Sequence, residues 1–293
     1  MIDLNSLTYF KKVAELQHFT LAAEELRVAQ PSLSRTISRL EQSLGVQLFD
    51  RAGRNVTLNP YGEIVLRHTN RILQELFDIE RELADYSDQS HQLVTLSLYA
   101  ASKLFPQMVT AFKHKHPLIR LKVIQESPSP DVSEECDLTL SSSIYPLSSP
   151  NTITLFAEDI LLALPDSSPL ANRPFVDLIE VSHEKFICLH KGKSLRKITD
   201  TYCQIAGFEP TVVLESDSPE IVRELIHAGI GIAFIPSITW RGMETKNLVL
   251  LPIHFPQCKR YIQLSWRSDG YLPSAAVIFR DFMKEYFRDF RKS

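Results

Sequence analysis

Residues 29–45, AQPSLSRTISRLEQSLG, narrow the folds open to this chain more than any other stretch. Apolar side chains recur there at spacings of four, three and four residues: Leu33, Ile37, Leu40 and Leu44. That rhythm predicts an amphipathic helix with one buried face. The other face carries an amide, hydroxyls and arginines toward its N-terminal end, with Glu41 as the acid on that face. Such a helix needs a core on one side and a polar partner on the other.

Residues 19–26, FTLAAEEL, predict a shorter helix just before this one. Thr20 is expected as its N-cap, and the small pair Ala22 and Ala23 allows another helix to approach closely. Pro31 is expected at the first position of the following helix, where its missing N–H costs nothing. Two short helices joined by the tight turn RVAQ form a helix-turn-helix.

The N-terminal half of the second helix has the chemistry of a helix that reads DNA. Arg pairs with guanine and Gln with adenine in bidentate fashion, each giving ~1–3 kcal/mol of discrimination in the major groove. After Gly45, two short apolar strands flank a turn at Ala52 and Gly53, which predicts a wing beside the phosphates. The predicted DNA-binding residues are Thr20, Gln30, Pro31, Ser32, Ser34, Arg35, Arg39, Arg51 and Arg54.

The local charge fits the same partner. The whole chain has a net charge of −3, but the segment 27–54 holds five arginines against the two acids Glu41 and Asp50. A small basic patch on an otherwise acidic protein fits one dedicated contact with a polyanion. The alternative is a plain three-helix subdomain whose polar face is simply solvated.

The stretch FTLAAEELRVAQPSLSRTISRLEQSLGVQLFDRAGRNVTLNPYGE resembles the N-terminal domain of LysR-type transcriptional regulators. The family pattern is present without gaps: an alanine pair, then Gln-Pro-x-Leu-Ser-Arg, Leu-Glu, Leu-Gly and Leu-Phe-x-Arg. The resemblance implies a winged helix-turn-helix DNA-binding domain over residues 1–59. It also implies four residues that read DNA and two arginines in the wing, namely Gln30, Pro31, Ser34 and Arg35, and Arg51 and Arg54.

The segment that follows predicts a long helix over residues 60–88, with Asn59 as its N-cap and Pro60 at its first position. Its apolar residues follow a rhythm of seven, four, three, four and three, which is typical of a heptad seam: Val65, Ile72, Leu76, Ile79, Leu83 and Tyr86. This seam either pairs with a second copy or packs on the first three helices. The resemblance implies a dimerising linker helix, and we adopt that interpretation.

Residues 91–293 change to an alternation of strands and helices, which predicts α/β sheets. The resemblance implies a two-lobed effector domain built like a periplasmic binding protein. Lobe I is expected over about residues 91–159 and 268–293, and lobe II over about 160–267. The expected fold class is therefore α/β overall, with a mainly α winged helix-turn-helix at the N-terminus and a long linker helix.

Several polar residues follow predicted strands or precede predicted helices, where α/β sheets bind ligands: Ser102, Lys103, Ser127, Ser141, Lys193, Ser194 and Ser218. Their hydroxyls, ammonium groups and adjacent N–H groups suit a small carboxylate or an amino acid. Helix caps and turns would use the same serines. Two short segments at the expected rim, YAASKLF and ESPSPDVSEEC, also leave open a closed pocket and a constitutive regulator without an effector.

The expected partners are double-stranded promoter DNA, a small-molecule effector and further copies of the chain, as a homodimer and a homotetramer. RNA polymerase is a further candidate. No apolar run approaches the ~20 residues of a membrane span, and the start MIDLNSLTYFKKVAEL lacks a signal-peptide pattern, so a cytoplasmic location is expected. The four cysteines form no CxxC pair, which favours reduced, buried thiols.

We expect no metal, no cofactor and no catalysis, because no Ser/His/Asp or paired-carboxylate arrangement is evident. One rival from another class stays open, a small-molecule-binding or enzymatic α/β protein that uses its helix-turn-helix for assembly. Steep loss of DNA affinity with salt would separate the DNA-binding interpretations from that rival.

Overall fold

The computed structural model describes residues 2–52, 55–86, 92–125, 136–241, 247–267 and 270–288. The chain divides into two compact units, Met1–Tyr86 and Ser87–Ser293.

The first unit is a winged helix-turn-helix followed by a long helix, as the sequence predicts. Its elements are α1 (Leu4–Leu16), α2 (Phe19–Glu25), α3 (Gln30–Leu44), β1 (Phe49–Ala52), β2 (Asn55–Leu58) and α4 (Pro60–Tyr86). β1 and β2 pair antiparallel, with Phe49 opposite Leu58. The core contains Phe10, Leu33 and Ile37 with no exposed surface, so the apolar stripe of α3 packs inward.

Two helix starts differ from the prediction. His18 caps α2 in place of Thr20, because its extended backbone lets Nδ1 accept the N–H of Leu21 at 3.3 Å. Thr20 lies inside the first turn of α2. Pro31 is the second residue of α3, after Gln30 and the N-cap Ala29. A proline is tolerated there because the first turn of a helix has no intrahelical acceptor for its N–H.

Glu41 does not lie on the polar face of α3, where the sequence analysis placed it. The residue is only 2% exposed, and its Oε1 accepts the backbone N–H of Leu48 at 2.8 Å. Gly45 ends α3 with a φ of 72°, in the left-handed region that glycine adopts without strain. The carboxylate thus joins the last turn of α3 to the chain that enters β1.

The second unit alternates strands and helices in this order: β3 (Leu93–Leu98), α5 (Phe105–Lys115), β4 (Arg120–Ile124), β5 (Leu138–Ser143), β6 (Thr152–Pro165), β7 (Val176–Asp177), a 3-10 turn (Leu178–Val181), β8 (Lys185–Cys188), α6 (Ser194–Ile205), β9 (Thr211–Glu215), α7 (Pro219–His227), β10 (Ala233–Pro236), β11 (Leu248–Leu251), β12 (Ile253–Phe255), β13 (Lys259–Ser265) and α8 (Ser274–Tyr286).

A mixed sheet with the order β10-β6-β13-β5-β3-β4 runs through both lobes of this unit, and β11 also pairs with β6. Lobe I has a core in which α5 and α8 pack on β3 and β5, with Phe112 and Phe279 buried. Lobe II has its own core around β8 and α6, with Phe186 and Cys203 buried. β6 belongs to both lobes, because its first half pairs with β13 and its second half with β10 and β11.

β13 lies in the sheet of lobe I, whereas the sequence analysis placed residues up to 267 in lobe II. It pairs antiparallel with β5, and its Ile262 and Leu264 are fully buried in the lobe I core. The chain therefore returns to lobe I before residue 259. At this second crossing Arg260 stands directly opposite Glu158 of β6.

Candidate DNA-binding surface and ligand cavity

The exposed face of α3 presents the side chains that the sequence predicts for DNA contact. Gln30, Arg35 and Arg39 are exposed, and within the described part of the chain their side chains make no hydrogen bond or ion pair. Ser32 is exposed and Ser34 is half-buried. Free guanidinium and amide groups on a helix whose opposite face is anchored in a core are available to base edges and phosphates.

For the other predicted DNA contacts the structure describes the side chains of some residues and not of others. Thr20 and Pro31 are exposed on α2 and α3. The backbone of Arg51 lies in β1 of the wing, while its side chain and all of Arg54 lie outside the described residues.

The apolar seam of α4 is divided between two environments. Val65 packs against the core of the first unit. Beyond it the seam is exposed, most of all at the end of the helix, where Leu83 is 64% and Tyr86 93% exposed. Ile72, Leu76 and Ile79 are exposed on the same stripe. Contiguous exposed apolar surface of this kind marks a protein–protein contact.

Between the lobes of the second unit lies a cavity of about 340 Å³. Of the seven predicted effector contacts, Ser102, Lys103, Lys193 and Ser194 line it. Leu98, Ala100, Leu189, Leu195 and Trp240 contribute apolar wall. A volume of this size is within the range of small-molecule sites, about 300–1,000 Å³.

Two predicted effector contacts, Ser141 and Ser218, are not among the residues that line the cavity. Ser141 lies on β5, but its neighbour Ser142, on the opposite face, donates to Ser194 Oγ at 3.1 Å. Ser218 is the N-cap of α7 and accepts the Ile221 N–H at 3.3 Å, so it performs the cap role. Ser127 lies outside the described residues.

Both predicted lysines already have carboxylate partners. Lys103 of lobe I reaches across to Glu220 on α7 of lobe II, with Nζ and Oε1 2.7 Å apart. The ammonium of Lys103 lowers the pKa of Glu220 to about 2. Lys193 Nζ lies 3.4 Å from Asp217 Oδ2. The positive charge of each lysine is therefore already balanced by an acid of the protein in this arrangement.

Arg260 is a cavity residue that the sequence analysis missed. It lines the cavity, although the residue is only 3% exposed. Its Nε donates to Glu158 Oε1 at 2.7 Å, and Nη2 donates to Thr239 Oγ1. Burial lowers the pKa of the Arg260 guanidinium, and the adjacent Glu158 opposes that shift. The second terminal nitrogen, Nη1, has no partner in the protein as described.

Glu158 is held by more than this ion pair. Its Oε2 accepts the backbone N–H groups of Ile238 and Thr239, each at 2.8 Å, and its Oε1 accepts the Thr239 hydroxyl at 2.9 Å. The carboxylate is therefore saturated with donors. A sequence signal for this pair exists: both charges interrupt apolar strand patterns, in FAEDILLALP and CKRYIQLSW.

The cysteines lie in the interior. Cys136, Cys188, Cys203 and Cys258 are buried, and none of them forms a disulfide. Burial raises the pKa of Cys188 to about 11 and that of Cys203 and Cys258 to about 12. Thiols with such pKa values are protonated at neutral pH and react poorly as nucleophiles.

Neither a metal-binding cluster nor a membrane-spanning helix is present among the described residues. No three His, Cys, Asp or Glu side chains there are grouped so that they could bind a metal ion. Among the helices of the same residues, none combines the length and apolar composition that crossing a membrane requires.

Comparison with known proteins gives consistent results along the chain. The family "Bacterial regulatory helix-turn-helix protein, lysR family" matches residues 4–63, and "LysR substrate binding domain" matches residues 90–288. The transcriptional dual regulator GltC of Bacillus subtilis is 31% identical, over 98% of this chain and 98% of the relative. The uncharacterized HTH-type transcriptional regulator YybE of the same organism is 30% identical, over 98% of this chain and 100% of the relative. Full-length OxyR from Pseudomonas aeruginosa has a similar fold, with a TM-score of 0.65 and 24% identity over 97% of this chain and 95% of that one.

Proposed function

The chain belongs to the LysR family of DNA-binding transcriptional regulators, and we propose that it reads promoter DNA with α3 and responds to a small anionic metabolite bound between its lobes. The free Gln30 and Arg35 side chains on the exposed face of α3 carry the first part of this proposal. The cavity between the lobes carries the second.

Specific recognition would come from the N-terminal half of α3 in the major groove. Gln30 and Arg35 supply bidentate donors and acceptors for base edges, with Ser32 and Ser34 beside them. Arg39 and the wing arginines Arg51 and Arg54 would contact phosphates, which position the protein without reading sequence.

The test of DNA recognition is a binding titration on a duplex selected in vitro from a random library. Arg35→Ala should cost ~1–3 kcal/mol on the selected duplex and relax the preference at one base pair. The logarithm of the binding constant should fall linearly with the logarithm of the salt concentration, by ~0.9 per phosphate contacted. Arg120→Ala, which removes an exposed arginine of the second unit, is the matched control and should bind as the wild type does. Sequence-specific binding that survives Gln30→Ala and Arg35→Ala together would refute the assignment of α3.

The assembly that we propose is a homodimer through the exposed seam of α4, joined into a homotetramer by the second units. A twofold-symmetric dimer suits an inverted repeat, because each α3 then reads one half-site. A protein that acts on promoter DNA in this way would work in the cytoplasm, with RNA polymerase as a further partner.

One observation favours a second candidate, a constitutive regulator whose cavity binds nothing. Lys103 and Glu220 already form an ion pair from lobe to lobe, and Ser194 Oγ donates to the Tyr99 carbonyl at 3.2 Å across the same gap. A closed cavity would leave DNA affinity unchanged by every small acid tested. An effector, in contrast, has to bind two states of the protein with different affinities to change DNA binding.

A further inference from the structure

We infer that the ligand of the cavity is a small monocarboxylic acid with an apolar body, held by the guanidinium Nη1 of Arg260. The inference rests on the proposed function, because it specifies the ligand of the same cavity. It assigns a role in ligand binding to Arg260, a residue that neither a helix cap nor a strand end in the sequence indicates.

Arg260 supplies a charged N–H donor whose position on the cavity is fixed by two other contacts of the same guanidinium. Its guanidinium is held in place at Nε by Glu158, at 2.7 Å, and at Nη2 by Thr239. Nη1 is left without a partner while the residue lines the cavity. A donor fixed in this way loses little conformational entropy when a ligand binds, and its hydrogen bond to a carboxylate is charge-assisted.

The start of α6 supplies a second set of donors on the same cavity. Lys193 is its N-cap, and no side chain caps the first turn. The first N–H groups of a helix lack intrahelical acceptors and attract anions. Ser194 and Leu195, the first two residues of α6, line the cavity together with Arg260.

The lysine pairs limit the ligand to one carboxylate. Lys103 is engaged by Glu220 and Lys193 by Asp217. A second carboxylate on the ligand would find no free cation in the described cavity wall unless it displaced one of these acids. Asp217 itself lines the cavity and would repel an unpaired carboxylate of the ligand, so dicarboxylic acids should bind less well.

The rest of the wall suits an apolar body. Leu98, Ala100, Leu189, Leu195 and Trp240 line the cavity from both lobes. Burying an apolar group against such a wall contributes about 25 cal/mol per Å², and an aromatic ring such as that of Trp240 packs on flat ligands. The polar end of the ligand is thus recognised by Arg260 and its other end by both lobes.

The experiment measures binding to the full-length protein by calorimetry, with matched acids and amides as probes. The acids are benzoate, phenylacetate and hexanoate, each compared with its neutral amide. Succinate, glutarate and glutamate test the limit of one carboxylate. We expect at least one monocarboxylate to bind about tenfold or more tightly than its amide, and more tightly than the dicarboxylates and glutamate.

Variants then locate the carboxylate. Arg260→Lys keeps a cation for Glu158 but loses Nη1, and it should weaken the bound monocarboxylate about 10–100-fold. The double variant Glu158→Gln with Arg260→Met removes both buried charges together, so that neither is left unpaired. It should bind acid and amide about equally. Arg173→Lys, in an exposed pair with Glu180 outside the cavity, is the control and should change nothing.

The inference is overturned by any of three results: no probe binds, a dicarboxylate or glutamate binds best, or the preference for acid over amide survives both variants. None of these affects DNA recognition by α3, which is measured separately with Arg35→Ala. If glutamate or succinate binds and changes DNA affinity without Arg260, the proposed function stands and this assignment of the ligand fails.

Discussion

Glu41 and Arg260 are buried charges that join segments distant in the chain. Glu41 Oε1 accepts the Leu48 N–H at 2.8 Å, and Arg260 binds Glu158, 102 positions away. An apolar strand pattern interrupted by a charge marks Arg260 as a candidate, but the sequence does not show which partner buries it, because a charge is buried only where a partner on another element satisfies it. The exposure of Gln30 and Arg35 was predictable, because the face of a helix on which a side chain lies depends mainly on spacing within one segment.

Glu41→Ala should destabilise the first unit by about 1–3 kcal/mol, because the buried Leu48 N–H loses its acceptor. For a domain of this size the melting temperature should fall by about 4–8 °C per kcal/mol. Thermal unfolding followed by circular dichroism measures the change, and Glu24→Ala, at an exposed position of α2, is the control. Equal melting temperatures for both variants, with the Leu48 amide still protected from hydrogen exchange, would contradict the role given to Glu41.

At the scale of elements, the helices follow their sequence patterns closely and the strands less so. SLRKITDTYCQIAG and SPEIVRELIHAG predict helices that start at residues 194 and 218, and α6 and α7 begin at Ser194 and Pro219, because helix periodicity and capping are local. The apolar run EDILLALP predicts a strand over residues 158–165, whereas β6 begins six residues earlier, at Thr152. Its first half pairs with β13, some hundred residues later in the chain. Pairing over such a separation leaves no mark on local composition.

The exposed seam of α4 gives a prediction for assembly. In the proposed tetramer, Leu76→Glu with Leu83→Glu should break the α4 contacts and leave dimers held by the second units, because charges would replace apolar side chains at the contact. Sedimentation velocity over a range of protein concentrations measures the change. Arg71→Glu, at an exposed position on the polar side of the same helix, is the control. A variant that assembles to the same size as the wild type would show that the seam of α4 does not hold the protomers together.

At the scale of the whole molecule, the two units and the lobes of the second were predictable in outline, since a change from helical periodicity to strand–helix alternation marks the boundary. The residue at which the chain returns to lobe I was not predictable. RYIQLSW predicts a strand, but only its pairing with β5 shows which lobe it joins. For the same reason the sequence does not predict that Arg260 lines the cavity, because Arg260 lies on that strand.

The ion pair between the lobes makes a prediction for pH. Lys103 lowers the pKa of Glu220 to about 2 from an ordinary value of 4.5. Its stabilising contribution is therefore fully present above about pH 4.5 and is lost as the pH falls toward 2. Glu220 is 63% exposed on its side chain, so solvent screening limits the contribution to about 1 kcal/mol or less.

Melting curves of the wild type and Glu220→Gln, recorded from pH 7 to pH 2.5, check this. We expect the wild type to melt higher at pH 7 and the difference to shrink below about pH 4.5. A gap of constant size across that interval would mean that the carboxylate contributes nothing through its charge.

The two strands shared by the lobes, β6 and β13, constrain how those lobes can move. Hydrogen-bonded neighbours in a sheet resist sliding past one another, whereas twist between them varies readily from sheet to sheet. We therefore expect the lobes to move relative to each other by twisting about this strand pair. The hydrogen bonds between the two strands would stay intact, and the lobes would not separate. Arg260 and Glu158 face each other on that axis. In a rotation, atoms near the axis move least and atoms at the outer edge of the lobe move farthest. A molecule bound beside Arg260 would therefore reorient an entire lobe through very small local displacements.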